Sequence, residues 1–313
     1  MSSGWRFGSW IAGSWDRLHR GRHVWLGIEE WIVRERSPFQ EVAIARVPEF
    51  GRALFLDAVL QFAEEDEFVY HEHLALPPLL YHPAPRRVLI EGGGDGLALR
   101  EVLRDPRVER AVLVDIDEVV VRACRDHLAD LHRGSFDDPR AEIVVDDIRA
   151  YLARDPEPFD AVLVDLVDAY TAEEWALYTE VLPLTRRACA PGAVVAVHGD
   201  LAGPPYRFLY LYRELGRHFR HTAGYRAAVT SFTGDWGFAL ASDDVAFADM
   251  PTEVVRDRAG ALRGPLRALV PETFPGGFRW PGYLEARLRE IPEGAPPPPA
   301  AAGSAEWVTP EEG

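Results

Sequence analysis

The sequence predicts an α/β fold in which a parallel sheet with helices on both faces follows a small antiparallel β domain. Residues 29–61 hold short alternating runs with Pro48 and Gly51 between them, a pattern typical of antiparallel strands. After Pro85, apolar β-type runs alternate with helix-compatible stretches, which is the order expected of a parallel sheet covered by helices. These runs are residues 88–91, 111–115, 143–146, 161–165 and 193–197.

The remaining stretches complete the expected order of elements. Residues 62–80 form an acidic, helix-compatible stretch that we expect to close at Pro77 and Pro78. Residues 206–219 predict a helix, and the two runs after it, 222–232 and 236–241, predict a closing hairpin. From residue 292 onward the composition cannot bury enough surface to become ordered, so we expect a mobile tail. The chain therefore divides into an N-terminal segment with the small β domain (1–80), a large α/β domain (81–291) and the tail (292–313).

The charge of the chain limits its partners. It has 34 Lys and Arg residues against 50 Asp and Glu residues, a formal net charge of −16. Such a surface repels phosphate backbones and anionic lipid heads, so nucleic acids and membrane surfaces are poor partners, whereas cationic solutes are attracted. All the basic residues are Arg, which excludes Schiff-base and P-loop lysine chemistry.

Cysteine and tryptophan usage narrows the class further. Cys124 and Cys189 are too few for a disulfide framework or a thiolate metal site. No basic-then-apolar leader and no apolar run near the ~20 residues of a bilayer span is present, so we expect a cytoplasmic protein. Tryptophans crowd the N-terminus, where packing or subunit contact is their expected role. They are Trp5, Trp10, Trp15, Trp25 and Trp31.

A glycine cluster follows the first parallel run. Residues 88–100 read as a strand that enters Gly92, Gly93, Gly94 and Gly96 and then a helix, so a ligand could approach the backbone at the helix N-terminus. Asp115, at the end of the next run, lies 19 residues after Gly96, near the ~20 expected for an acid that holds ribose hydroxyls. The pattern indicates a bound nucleoside; the alternative is a tight turn needed only for packing.

Acids at the neighbouring strand ends refine this interpretation. Asp95 lies inside the glycine turn, where it would repel a pyrophosphate but attract an ammonium group, which favours an adenosyl sulfonium compound over a dinucleotide. Asp147 is placed to accept a hydrogen bond from the adenine amine, or is a solvated loop acid. Asp165 and Asp168 follow the fourth run and could hold one ammonium and take a proton from an amine nucleophile, with Asp165 as the candidate base. Alternatively, either acid caps a loop.

Several motifs occur together within residues 31–289: Phe39-Gln40, Leu56-Asp57 with Gln61, and residues 66–72, 88–96, 100–103, 137–140 and 164–168. In their order and spacing they resemble the spermidine synthases, which are polyamine aminopropyltransferases. The family fold this implies is a small N-terminal β domain that mediates oligomerisation and borders the active site, and a Rossmann-like methyltransferase-type catalytic domain. The implied reaction is aminopropyl transfer from decarboxylated S-adenosylmethionine to a polyamine, putrescine or spermidine, with release of methylthioadenosine.

The resemblance also implies roles for individual residues. Asp165 resembles the proton acceptor, and Asp95 the acid that holds the donor's aminopropyl ammonium. The polyamine-site residues it implies are Tyr70, His71 and Asp168, with Asp95 beside them. The donor contacts it implies are Gln40, Gly92, Gly94, Asp115, Asp147 and Ile148. The family reaction needs no metal or cofactor beyond this co-substrate, and we expect a homodimer or homotetramer.

The chain departs from the family pattern at several positions. Ala169 stands where the family has proline, and the short loop expected to reach Tyr178 lacks Gly and Pro, so we expect an altered lid. Ile148 and Ala58 each replace a glycine, and Asp115 stands where many members have Glu. Asp115-Ile-Asp117 and residues 230–242 are closer to the thermospermine synthase branch, which typically has Glu at the position of Asp95. The resemblance therefore does not identify which polyamine is the acceptor.

Two other functions remain as alternatives. One is an S-adenosylmethionine-dependent methyltransferase on the same sheet, although Asp95 and Asp168 would repel that donor's carboxylate. The other is a non-catalytic homologue that binds a polyamine or a nucleoside.

Overall fold

The computed structural model describes residues 9–13, 24–298 and 306–308 of the chain. Near the N-terminus, four strands form an antiparallel sheet in sequential order: β3 (Glu30–Arg36), β4 (Glu41–Val47), β5 (Gly51–Leu56) and β6 (Val59–Ala63). A separate three-stranded sheet has the order β14, β1, β2, formed by β1 (Ser9–Gly13), β2 (Val24–Ile28) and β14 (Glu306–Val308). The predicted antiparallel N-terminal β structure is thus confirmed.

The largest sheet has seven strands in the order β12, β13, β11, β10, β7, β8, β9. Its parallel part is β7 (Arg87–Gly92), β8 (Arg110–Asp115), β9 (Ala141–Val145), β10 (Phe159–Asp165) and β11 (Cys189–Leu201). Two antiparallel strands, β12 (His221–Val229) and β13 (Gly234–Ser242), close one edge as the predicted hairpin. All the parallel runs expected from the sequence are therefore strands of one sheet, and their carboxyl ends lie at one edge.

Helices cover both faces of this sheet. In chain order they are α1 (Glu67–Tyr81), α2 (Leu97–Leu103), α3 (Glu118–His127), α4 (Ala129–His132), α5 (Ile148–Leu152), α6 (Ala172–Ala188), α7 (Arg207–His218), α8 (Thr252–Gly260) and α9 (Gly282–Glu290). One core cluster packs Val88 and Ile90 of β7 with α1 and α2, and a second packs Leu89 of the same strand with α6 and α7. Successive side chains of a strand point to opposite faces, so β7 is buried on both.

Helix α1 does not close at Pro77 and Pro78, as the sequence suggested, but runs through both prolines to Tyr81. Proline lacks the N–H that would bond to the carbonyl four residues earlier, which for Pro77 is the carbonyl of His73. The Tyr225 hydroxyl donates to that carbonyl at 2.6 Å instead. Both prolines are also buried in the core, so tertiary contacts offset the lost helical bond.

The C-terminal tail differs from expectation at one point. Residues 306–308, expected to be mobile, form β14, which pairs antiparallel with β1. Backbone pairing of this kind needs no apolar core, which is why composition did not indicate it. Trp5 and Trp15, predicted as packing or contact residues, lie outside the described residues. The division of the chain at residues 80 and 291 stays a prediction.

None of the helices in the described ranges is long and apolar enough to cross a membrane.

Candidate active site

A cavity of about 240 Å³ opens at the carboxyl edge of the parallel strands. The small β domain contributes one wall, and the N-terminal half of α1 contributes another. Each site residue expected from the sequence lines this cavity: Gln40, Tyr70, His71, Gly92, Gly94, Asp95, Asp115, Asp147, Ile148, Asp165 and Asp168. The structure therefore brings together residues from five separate strands and helices, as Rossmann-like sheets do at their carboxyl ends.

The glycine turn lets the ends of neighbouring strands approach each other. Gly92 has φ +86°, and a Cβ there would lie 2.1 Å from the backbone oxygen of Asp165. A Cβ on Gly94 would lie 2.6 Å from Asp115 Oδ2, the atom to which the Gly94 N–H donates at 2.9 Å. Both glycines are thus needed for close packing, as the alternative of a tight turn predicts. Because they have no side chains, they also leave the cavity open.

The expected ribose acid is held by backbone donors. Asp115 Oδ1 accepts the N–H of Asp117 at 2.8 Å, while Oδ2 accepts that of Gly94. Removal from water raises the pKa of Asp115 to about 6, although these hydrogen bonds oppose the shift. Gln40 Nε2 donates to Asp117 Oδ2 at 3.0 Å, and the Ser37 hydroxyl donates to the same oxygen at 2.7 Å. Ser37 and Asp117, to which the sequence gave no site role, thus orient Gln40.

Asp147 has a structural role as well as a place in the cavity. It is the N-cap of α5, where its carboxylate accepts the backbone N–H of Arg149 at 2.8 Å. The hydrogen bond to the Arg149 side chain holds the pKa of Asp147 below its usual value. Ile148 beside it is buried. The cap and the adenine contact are compatible, because a carboxylate has several acceptor positions.

Asp165, the candidate base, ends β10 with its side chain only 9% exposed. The Tyr70 hydroxyl donates to its Oδ1 at 2.6 Å. Burial raises the pKa of Asp165 above the ordinary value, and the Tyr70 hydrogen bond partly opposes that rise by stabilising the carboxylate. A carboxylate with a raised pKa is a stronger proton acceptor than an exposed one.

His198 is a cavity residue that the sequence analysis missed. Its Nε2 lies 2.6 Å from the carbonyl oxygen of Leu166, an arrangement that places the ring proton on Nε2. Its Nδ1 lies 3.7 Å from Asp168 Oδ1, and both atoms are buried without a hydrogen-bond partner in the described part of the chain. Two acceptors that face each other suit a donor such as an ammonium. The available signal was the fifth apolar run, which ends one residue before His198.

Asp168 is fixed on its other side. The Tyr170 hydroxyl donates to Asp168 Oδ2 at 2.6 Å, which leaves Oδ1 toward His198. Burial raises the pKa of Asp168 as well. Each of the two acids after β10 therefore has one oxygen held by a tyrosine.

Asp95 and His71 form a charged pair on the opposite wall. Asp95 Oδ1 accepts the N–H of Leu97 at 2.8 Å, and Oδ2 lies 3.7 Å from His71 Nε2. The other ring nitrogen of His71 lies 3.0 Å from Glu67 Oε2. Burial by itself would lower the pKa of His71, but the carboxylates of Asp95 and Glu67 raise it to about 10. The His71 imidazolium thus balances part of the negative charge of Asp95. The position of Asp95 in the sequence did not predict this pairing.

The stretch after Asp168 differs from the expected loop. Tyr178 lies within α6, which begins at Ala172 behind a capping box formed by Thr171 and Glu174. The segment available as a lid is therefore shorter than the sequence suggested.

Among the residues that the structure places, no group of three or more His, Cys, Asp or Glu side chains could hold a metal ion.

The fold and the cavity together identify the class of protein. The chain is a Rossmann-like α/β protein with an acid-lined cavity at the carboxyl edge of its sheet. The family model described as "Spermine/spermidine synthase domain" matches residues 67–249, and the one described as "Spermidine synthase tetramerisation domain" matches residues 11–64. The chain therefore belongs to the spermine/spermidine synthase family.

Individual relatives agree with this assignment. The chain is 42% identical over 250 residues to the polyamine aminopropyltransferase of Aeropyrum pernix, covering 78% of this chain and 80% of that one. It is 44% identical over 241 residues to polyamine aminopropyltransferase 2 of Pseudomonas aeruginosa, covering 75% and 68%.

Solved structures are similar as well. A crystal structure of spermidine synthase in complex with the transition-state analogue AdoDATO superimposes with a TM-score of 0.80 at 29% identity, covering 87% of this chain and 92% of that one. The spermidine synthase of Thermotoga maritima gives a TM-score of 0.77 at 28% identity, covering 87% and 91%.

Proposed function

We propose that Asp165 is the base of an aminopropyl transfer from decarboxylated S-adenosylmethionine to a polyamine amine, putrescine or spermidine, which releases methylthioadenosine. The chain is an aminopropyltransferase, as family membership and the names of its relatives support. The observation that carries the residue assignment is the pair of largely buried acids after β10, each with one oxygen held by a tyrosine.

Deprotonation is the step for which the site is built. A protonated amine has a pKa near ~10 and no free electron pair, so it must lose a proton before it can attack carbon. Asp165 takes this proton. The nitrogen pair then forms a bond to the propyl carbon next to the sulfonium, while the carbon–sulfur pair moves onto sulfur and leaves a neutral thioether. The sulfonium is already an activated leaving group, so positioning and proton removal supply the catalysis.

The other cavity residues divide between the two substrates. Asp115 and Asp147 bind the nucleoside through its ribose hydroxyls and adenine amine, and Asp95 holds the ammonium of the aminopropyl group. Tyr70, His71 and Asp168 position the acceptor amine. The remaining donor contacts are Gln40, Gly92, Gly94 and Ile148.

We further propose that the chain works in the cytoplasm as a homodimer or homotetramer, without a metal or any cofactor besides the co-substrate. The match of residues 11–64 to a tetramerisation domain supports an oligomer.

A turnover assay by mass spectrometry tests the reaction. Decarboxylated S-adenosylmethionine is offered with putrescine, spermidine, spermine and cadaverine in separate tubes, and S-adenosylmethionine serves as the control donor. We expect methylthioadenosine together with an aminopropylated amine, whose mass names the acceptor. Methyl transfer from the control donor would instead indicate a methyltransferase. Binding of the amines without any product would indicate a non-catalytic homologue.

The variant Asp165→Asn tests the base. The amide keeps the shape of the side chain but cannot take the proton, so kcat should fall by about 10²–10⁴-fold. Methylthioadenosine affinity, measured by titration calorimetry, should stay nearly unchanged. Asp126→Asn, at an exposed position on α3, is the matched control and should keep full activity. Full activity of Asp165→Asn would remove Asp165 from the role of base.

A further inference from the structure

A second cavity, of about 280 Å³, lies behind α1, between α2, α4 and the segment 263–267. We call it the arginine cleft, because its lining includes Arg100, Arg104, Arg133, Arg140, Arg263 and Arg267. Such a concentration of guanidinium groups is unexpected in a chain with a net charge of −16. The acids in its lining are only Glu101 and Asp138.

Three of these arginines are engaged by carboxylates of the protein itself. Arg100 pairs with Glu67 at 2.8 Å, and Arg104 pairs with Glu72 at 3.0 Å. Arg140 pairs with Asp138 at 2.9 Å. Glu101 also pairs with Arg100 and Arg104. The positive charges of these three arginines are therefore balanced by carboxylates of the protein.

The other three arginines are not engaged in this way. The exposed guanidinium groups of Arg133, Arg263 and Arg267 form no hydrogen bond or ion pair with any residue in the ranges 9–13, 24–298 and 306–308. Arg267 lies over the ring of Phe68, 3.5 Å from its centroid, a contact that orients the guanidinium without neutralising it. Beside the hydrogen bond from Arg140, Arg263 also lies close enough to Asp138 to help lower the pKa of that carboxyl. The three exposed arginines nevertheless give the lining of the cleft an excess of positive charge.

The segment that carries two of these arginines is held in place. The Glu72 carboxylate is fully buried and accepts the backbone N–H groups of Arg267, Ala268 and Leu269 at 2.8–3.1 Å. Arg104 donates to the carbonyl oxygen of Arg263 at 3.0 Å. Since both ends of the segment are anchored, the backbone that carries Arg263 and Arg267 is held in place, which lowers the cost of ordering it when a ligand binds.

We propose that the arginine cleft binds a small phosphorylated ligand, whose phosphate groups are held by Arg133, Arg263 and Arg267. Guanidinium forks match the oxygen geometry of phosphates in pairs of hydrogen bonds. A concave site of this size suits a small molecule rather than a nucleic acid, which the overall charge also repels. The substrates of the proposed function are cations, so the cleft is a separate site and its ligand a separate partner.

Titration calorimetry on the full chain tests the proposal with inorganic diphosphate as the probe. Methylthioadenosine is present at saturation to fill the nucleoside cavity, and NaCl at matched ionic strength is the blank. We expect saturable binding of one diphosphate per chain. A nucleoside diphosphate in a second arm distinguishes the source: tighter binding than inorganic diphosphate indicates a phosphate ester, and equal binding indicates free phosphate.

Charge-neutral variants locate the site. Arg133→Gln and Arg267→Gln should each weaken diphosphate binding by about tenfold, the expected loss of a charge-assisted hydrogen bond. Arg220→Gln, an exposed arginine outside the cleft, is the matched control and should bind as the parent does. Unchanged aminopropyl transfer in all three would show that they are folded. No saturable binding, or equal weakening in the control, would overturn the site even if the aminopropyl transfer is confirmed.

Discussion

At the scale of residues, three aspartates of the cavity, Asp95, Asp165 and Asp168, differ in the side chains that surround them. The side chains of Asp165 and Asp168 are 9% and 17% exposed, and each accepts a tyrosine hydroxyl at 2.6 Å. They differ in their remaining oxygens, because Asp168 Oδ1 faces His198 Nδ1 at 3.7 Å. Asp168 and His198 together suit the binding of an ammonium, and Asp165 is the proposed base. Asp95, by contrast, shares its charge with His71.

The hydrogen bond from Tyr70 to Asp165 predicts a shift in the pH profile. The base is active as a carboxylate, so the rate falls as pH falls through the raised pKa of Asp165. The Tyr70 hydroxyl stabilises that carboxylate, so Tyr70→Phe should raise the pKa of Asp165 further. The acid limb of kcat/KM against pH should therefore move to higher pH. The matched control is Tyr283→Phe, since Tyr283 is 55% exposed. A limb that stays in place or moves to lower pH would contradict the proposed role of Tyr70.

At the scale of elements, α1 is the part that joins the site to the rest of the protein. Its Tyr70 and His71 line the active-site cavity, while its Glu67 and Glu72 pair with Arg100 and Arg104 in the wall of the arginine cleft. Its continuation through the two prolines depends on the contact from Tyr225. The position of Tyr70 is thus linked to contacts further along the same helix.

Removal of the Glu72 carboxylate should destabilise the protein. Glu72→Ala leaves three backbone N–H groups and the Arg104 guanidinium without their buried acceptor. The free energy of unfolding in urea, at fixed protein concentration, should fall by about 3–5 kcal/mol. Glu173→Ala, at an exposed position in the first turn of α6, should change it by less than about 0.5 kcal/mol. Equal effects of the two changes would show that Glu72 does not anchor the segment.

The glycine turn predicts a selective loss of donor binding. A Cβ at Gly94 would lie 2.6 Å from Asp115 Oδ2, so Gly94→Ala must displace the expected ribose acid. The KM for the donor should rise by about tenfold or more, while the KM for the amine changes less. Gly216→Ala on α7, where a Cβ meets nothing within 4 Å, serves as the control for both constants. An unchanged donor KM in Gly94→Ala would argue against ribose binding by Asp115.

At the scale of the whole molecule, the net charge of −16 complements polycationic substrates. A negative field raises the encounter rate of cations and is screened by salt. The charge is unevenly spread, since the arginine cleft forms a positive region behind α1. The chain thus has an acid-lined cavity and an arginine-lined cavity at separate places.

Added salt should lower the catalytic efficiency of the enzyme with its acceptor amine. The kcat/KM for the acceptor should fall several-fold between low salt and about 0.5 M NaCl, because the Debye length shortens to a few ångströms. The kcat at saturating amine should change little, since screening acts on encounter. Circular dichroism over the same range checks that the fold is intact. A kcat/KM independent of salt would mean that the field of the whole protein does not steer the amine.

The parallel strands, the acids at their ends and the glycine turn can be predicted from the amino-acid sequence alone. Apolar runs and turn residues are local signals, and parallel strands place their carboxyl ends at one edge whatever the details of packing. Consequently Asp95, Asp115, Asp147, Asp165 and Asp168 could be expected near one another before any coordinates were known.

The groups that each of these acids contacts depend on how distant parts of the chain pack together. Three of the contacts described above join residues far apart in the chain. His198 lies beside Asp168, Gln40 donates to Asp117, and the Tyr225 hydroxyl donates to the carbonyl that Pro77 leaves without its helical partner. Local propensity carries no information about such contacts. The pKa values and free acceptor atoms that make the site chemically capable arise from them, because burial and neighbouring charges are properties of the packed molecule.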